Sequence, residues 1–229
     1  MDTVYCFHHA GGSEFDFVGW PRLSLRPQIV ALSLPGHGSR LSEPALFDVG
    51  AIANRMADEI DTERPYGLFG HSFGALVAFE VARTLRRRGR PLPERLWLSS
   101  FPAPGAFPVL PPISHLSDLQ LLVALQDRYG GLPPELFEYD EMIALYAGVL
   151  RADFTALEYY RHAPEPPLPC SAVVLDGSVR TVEDWRLAAW ARHFEAPPPV
   201  FRLTGDHFYL RDQVNAATIV AMLVQAAER

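Results

Sequence analysis

A short apolar strand, predicted over Tyr66–Phe69, runs into Gly70-His71-Ser72-Phe73-Gly74, and a long amphipathic helix, predicted over Ala75–Arg88, follows at once. Few folds accommodate that order. The chain must leave a strand and enter a helix within a few residues. The serine between them is forced toward strained backbone angles, and the flanking glycines relieve the crowding. Its hydroxyl then projects above the end of the strand, and the first amides of the helix are free to meet negative charge. A Gly-x-Ser-x-Gly on its own is weak, because short patterns recur by chance. The strand before it and the helix after it give it weight. The competing reading is a serine that merely caps a helix.

The rest of the chain repeats this alternation. Thr3–His8 reads as a strand that enters the turn His9-Ala10-Gly11-Gly12-Ser13. Gln28–Leu34 is a second strand, stopped by Pro35-Gly36-His37-Gly38. A helix begins at Asp48, which can cap it, and Ile52, Met56 and Ile60 recur on one face. Gly89 and Pro91 close the helix after Ser72, and Arg95–Ser100 is the next strand. Strand and helix alternation predicts an α/β fold with a mostly parallel central sheet and helices on both faces. It then breaks. Residues 101–112 are proline-rich and 115–160 read as helical, ending at Pro164-Glu165-Pro166-Pro167-Leu168-Pro169. Alternation resumes with Ser171–Leu175, a helix over Val182–Phe194, Val200–Leu203 and a last helix over Gln213–Ala227. A helical block set between two such stretches predicts one domain over 1–229 with a lid insertion at about 105–165.

Bulk properties narrow the partners. With 229 residues the chain suits one α/β domain and can bury a core without staples. The net charge of −7 argues against a nucleic-acid partner. The basic run Arg86-Arg87-Arg88 complements a helix C-terminus. Cys6 and Cys170 read as buried free thiols in core strands, with no metal spacing around them. No apolar stretch approaches the roughly 20 residues that span a bilayer, and no leader-like segment opens the chain. The expectation is a soluble cytoplasmic protein without a membrane partner.

Serine needs a base to act as a nucleophile. His207, in Gly205-Asp206-His207-Phe208, follows the last predicted strand, where this chain order of serine, acid and histidine places the base. His71 should point away from the turn. His8, His9, His37, His115, His162 and His193 read as packing residues. An oxyanion needs two backbone amides, and Phe73 and Ala10 are the candidates. The acid should follow Ser171–Leu175, where Asp176, Glu183 and Asp184 compete. Asp184 has a purely structural alternative, since an acid in a first helical turn stabilises the dipole.

These stretches together resemble the type II thioesterases, the stand-alone editing hydrolases of polyketide and nonribosomal peptide synthesis. The resemblance is carried by Cys6–Ser13, Pro35–Arg40, Gly67–Glu80, Tyr129–Pro133, Leu150-Arg151-Ala152-Asp153-Phe154 and Gly205–Leu210. It implies an α/β-hydrolase fold of the α/β-hydrolase superfamily with a helical lid. It implies a serine hydrolase of thioesters that acts on acyl groups held on the phosphopantetheine arm of acyl or peptidyl carrier proteins, with no cofactor and no metal, as a monomer. Ser72 would be the nucleophile, His207 the base, and the Ala10 and Phe73 amides the oxyanion hole. One departure stands out. The family's acid slot falls on Val179 or Arg180, and the related slot of multidomain thioesterases falls near Ser100. Asp176, shifted to the strand end, is the preferred triad acid, with Asp184 or no carboxylate at all as the alternatives. The departure keeps two other readings open: a pathway-specific enzyme that offloads one acyl chain or passes it to a non-water acceptor, and a non-catalytic carrier-protein-binding partner.

Overall fold

The computed structural model describes residues 1–107, 110–179 and 182–227. Six strands form one parallel sheet: β1 (Thr3–Phe7), β2 (Gln28–Leu32), β3 (Tyr66–His71), β4 (Arg95–Ser99), β5 (Ser171–Gly177) and β6 (Val200–Leu203), in the order β2-β1-β3-β4-β5-β6. Every residue of β3 is buried, as expected for a central strand covered on both faces. The expected α/β-hydrolase sheet with flanking helices is therefore present.

The helices follow from capping and periodicity. Asp48 caps α1 (Val49–Ala57) by accepting from the Ala51 amide, and Ile52 and Met56 turn inward from it. Helix α2 (Phe73–Arg87) begins two residues earlier than the periodicity predicts and is buried from Phe73 to Leu85. Helices α1 and α2 pack on one face of the sheet. Helix α6 (Gln213–Ala227), with Phe17 and Trp20, packs on the other. The predicted helix over Val182–Phe194 is shorter and split. An α-helical turn, α5 (Asp184–Ala188), passes into a 3-10 segment, Ala189–His193. Cys170 sits just before β5 and is half-buried rather than within a core strand; both cysteines are free.

Between β4 and β5 no strand occurs among the described residues. Helices α3 (Asp118–Tyr129) and α4 (Asp140–Tyr159) fill the interval and share their own apolar core of Ile113, Leu121, Leu122, Leu125, Leu136, Leu150 and Phe154. The strand order reverses at β1, since β2 lies on one side of it and β3 on the other. A crevice opens above the carboxyl ends of strands at such a reversal, and ligands bind there in open parallel sheets. The turn after β1, the end of β3 and the loop after β6 all rise from that edge.

The two glycines of the Ser72 turn are needed for close approach. A Cβ on Gly70 would lie 2.1 Å from the Gly74 carbonyl oxygen, and one on Gly74 would lie 2.2 Å from the Phe7 carbonyl oxygen of β1. Both obstacles are backbone, which cannot swing aside as a side chain does. Gly74→Ala is expected to destabilise the fold by about 3 kcal/mol, at the upper end of overpacking costs. A urea titration would read this as a lower midpoint with unchanged slope, and an unchanged midpoint would refute it.

Candidate active site

Ser72 occupies the N-cap position of α2 with φ 54° and ψ −121°, a left-handed conformation that costs a non-glycine residue about 1–3 kcal/mol. Its amide donates to the Ser99 carbonyl at 2.7 Å, which pins the turn to the end of β4. Its hydroxyl makes no capping hydrogen bond. The helix-capping alternative therefore fails, and the hydroxyl faces a cavity. The Phe73 amide, at the first position of α2, has no intrahelical acceptor.

The turn after β1 is braced by its own side chains. His8 Nδ1 donates to the His9 carbonyl at 2.8 Å, and His8 Nε2 accepts from the Leu34 amide at 3.2 Å. These bonds require neutral His8, and burial with His37 nearby lowers its pKa to about 4. His9 Nδ1 donates to the Ala10 carbonyl at 2.8 Å, and the Gly12 amide returns to the His9 carbonyl at 3.0 Å. Ala10, Ser72 and His207 line one cavity of about 1160 Å³. Lid residues, among them Leu125, Tyr129, Leu150 and Phe154, line its other side.

His207 is almost fully buried in the loop after β6. Its ring is held by aromatic neighbours: His71 at 5.2 Å, Phe208 at 5.0 Å and Tyr129 of the lid at 5.7 Å between centroids. His207 Nδ1 has no hydrogen-bond partner. No hydrogen bond joins Asp176 to this nitrogen. Asp176 is fully buried at the end of β5. Its Oδ1 accepts from the Ser100 hydroxyl at 2.8 Å and its Oδ2 from Arg202 Nη1 at 2.8 Å. Arg202 is the β6 residue in register with Asp176, and Ser100 follows directly on β4. Asp184 is exposed and pairs with the same Arg202. Glu183 pairs with Arg186 at 2.6 Å. Val179 donates its amide to the Gly205 carbonyl at 2.9 Å, which sets the loop after β5 beside the histidine loop, and its side chain is largely exposed. Arg180 lies outside the described residues.

The Thioesterase domain family matches residues 2–226. The chain belongs to the thioesterase family. Thioesterase PikA5 of Streptomyces venezuelae is 35% identical over 92% of this chain and 76% of its own. The RedJ thioesterase of the prodiginine pathway in Streptomyces coelicolor has a solved structure that superposes with a TM-score of 0.88, at 32% identity, over 98% of this chain and 89% of its own. YbtT, a type II thioesterase of the yersiniabactin pathway, superposes with a TM-score of 0.85 at 30% identity, over 99% and 92%. Type II thioesterases of polyketide and nonribosomal peptide pathways are thus homologues of this thioesterase, and the fold is theirs.

The site of this thioesterase is rich in histidine. His71 Nδ1 contacts the Ser99 hydroxyl at 2.8 Å, which in turn meets the Tyr209 hydroxyl at 2.6 Å. Burial above all, then the neighbouring His207 and His9, holds His71 well below the ordinary histidine pKa. Burial, then His9 and Arg211, likewise lowers His207 to about 4, against the opposing pull of Asp206. The free enzyme therefore keeps His207 neutral, in the form a base requires, far into acid. The acid limb of kcat/KM is expected near pH 4 rather than 6.5, measured where circular dichroism shows the protein still folded. An acid limb at 6.5 would refute the burial argument. Stability follows the same sign. Groups whose folded pKa is depressed leave the unfolded state holding more protons, so stability is full above 6.5 and falls as pH drops toward 4.

Two residues near the site escaped the sequence reading. Asp153 of α4 and His37 after β2 are both buried and bonded to each other at 2.9 Å. A signal existed: Asp153 interrupts an apolar stripe, Leu150, Phe154 and Leu157, on the inner face of a lid helix. A carboxylate on a buried face requires a partner. Among the described residues, no group of three or more His, Cys, Asp or Glu could hold a metal, and no helix is long and apolar enough to cross a membrane.

Proposed function

We propose that this thioesterase removes acyl groups from the phosphopantetheine arm of acyl or peptidyl carrier proteins in a polyketide or nonribosomal peptide pathway, and so clears stalled chains. The observation that carries the reading is the shared cavity. A strained serine, a neutral buried histidine and free amides border one side, and an apolar lid borders the other. That space suits an acyl chain entering with its thioester carbon toward Ser72.

In this reading Ser72 Oγ attacks the thioester carbon while His207 takes its proton. The carbonyl oxygen becomes an oxyanion that accepts from the Ala10 and Phe73 amides. The C–S bond then breaks, and His207 protonates the departing thiolate. Water, deprotonated by His207, attacks the acyl-serine and releases a free acid and Ser72. The buried Asp176 carboxylate holds Ser100 and Arg202 beneath the site. The two free thiols suit a reducing, cytoplasmic setting.

The test is release of acyl groups from loaded carrier protein, followed by mass spectrometry of the intact carrier. Free acid formed from several acyl groups, and lost in Ser72→Ala, supports the proposal. Absence of Ser72-dependent release refutes it. The bare Nδ1 of His207 favours one rival, a non-catalytic carrier-binding protein. Full complementation of a deletion strain by Ser72→Ala would establish that rival instead.

A further inference from the structure

The lid does more than enclose the cavity. Asp153 lies on the inner face of α4 and is almost fully buried. Its Oδ2 accepts two hydrogen bonds, from the Gly11 amide at 2.8 Å and from His37 Nε2 at 2.9 Å. Gly11 directly follows Ala10, whose amide is the candidate oxyanion donor contributed by the turn after β1. Both ring nitrogens of His37 face acceptors, Asp153 on one side and the Pro35 carbonyl at 3.1 Å on the other. Both must therefore carry protons, and His37 is a buried cation that balances the Asp153 charge. The Asp153 carboxylate raises the His37 pKa against the lowering effect of burial, in keeping with that state.

A second contact, independent of the carboxylate, joins the same elements. Gly11 has φ +75°, and a Cβ there would lie 2.4 Å from Leu150 Cδ2, one turn before Asp153 on α4. The helix thus bears on the turn at two points, one apolar and one ionic. Without α4 in place, the Gly11 amide and the His37 cation would each lose their buried partner, and the positive-φ turn would lose its brace. Breaking a buried ion pair by removing one partner is among the costlier single changes, so loss of the Asp153 carboxylate would remove a strong brace that the turn's own side chains do not replace.

We infer that Asp153 is a positioning residue for the oxyanion hole: it couples seating of the lid helix α4 to the placement of the Ala10 amide, so that closure over the acyl chain and completion of the oxyanion hole are one event. The inference rests on the proposed acyl transfer at Ser72. Asp153 touches no reacting atom. It acts through Gly11, and the expected signature is in the transition state rather than in substrate affinity.

The experiment compares wild type, Asp153→Ala and Asp153→Asn in hydrolysis of an acyl N-acetylcysteamine thioester and in binding of an alkylboronic acid, which forms a tetrahedral anion on the serine. Misplacing one oxyanion donor is expected to lower kcat by about 10- to 100-fold in Asp153→Ala, somewhat less than outright loss of a donor. KM should move less than about threefold, and boronate affinity should fall by the same factor as kcat/KM. Asp153→Asn keeps an acceptor for Gly11 but loses the charge that balances His37, so it should fall between the two in both readouts. If Asp153→Ala does not fold, Asp153→Asn carries the test alone, with parallel loss in turnover and boronate affinity expected. Wild-type kcat and boronate affinity in a folded Asp153 variant, or a loss confined to KM, would overturn the inference. The boronate arm needs no turnover. A wild-type protein inactive on every thioester would sink the functional proposal, while the boronate comparison would still decide the role of Asp153.

Discussion

Alanine at position 72 is expected to lower kcat for thioester hydrolysis by about 10²–10⁴-fold, with His207→Ala costing about the same and the double variant little more. The size of this loss follows from the unpartnered Nδ1 of His207. In a serine protease with a complete triad, removing the nucleophile costs about 10⁶, whereas removing the acid alone costs about 10⁴, because the members act as a unit. Here His207 Nδ1 has no hydrogen-bond partner, and we propose that the starting enzyme works without most of what an acid supplies. Less remains to be lost. What remains, in the proposed mechanism, is the strained serine, a base that is neutral because it is buried, and the two amides. The measurement is single-turnover release from acyl-loaded carrier protein by each variant. A loss near 10⁶ for Ser72→Ala would show that His207 acquires a full partner during turnover. A loss under tenfold would remove Ser72 from the mechanism.

The second large effect runs in the opposite direction. Val179→Asp is expected to raise kcat by about 10- to 10³-fold, a part of the roughly 10⁴ that a triad acid contributes. Position 179 is one of the two positions to which the family resemblance would assign the acid. The structure adds a reason of its own: the Val179 amide is bonded to the Gly205 carbonyl, two residues before His207. A carboxylate there stands beside the histidine loop. The Val179 side chain is largely exposed, so the change removes little buried apolar surface. An adjacent negative charge also favours the imidazolium. The acid limb of kcat/KM should therefore move up from about 4 toward the ordinary histidine range. Val179→Asn, which offers an oxygen without charge, should give a smaller gain and no such move. Unchanged kcat and an unchanged acid limb in Val179→Asp would show that the slot does not reach His207.

Much of this molecule was legible from residue order. The Ser72 turn, the end-to-end span of β6 and α6, the helical interval between β4 and β5, and the histidine after the last strand all follow from local signals. These are period-two and period-3.6 patterning, glycine at tight turns, and capping by Asp48. Such signals depend on neighbours within about one turn of chain. The split of the helix at Ala189 was not legible, because the apolar spacing of Val182, Leu187, Trp190 and Phe194 serves a 3-10 segment as well as an α-helix. The acid was the hardest case. Asp176 is present and buried, but Ser100 and Arg202, which it bonds, lie 76 and 26 positions away.

By itself the sequence determined that a serine would stand strained at a strand-to-helix turn in a parallel α/β sheet, with a histidine after the final strand, because chain geometry within a few residues dictates both. Only the tertiary structure decided what surrounds them. It seated the lid aspartate Asp153 on Gly11 across 142 positions. It turned Asp176 toward Ser100 and Arg202, and it set His207 among the rings of His71, Tyr129 and Phe208. The physical reason is that a hydrogen bond between distant segments depends on where the sheet register and the lid packing bring two atoms, and no local pattern encodes that distance.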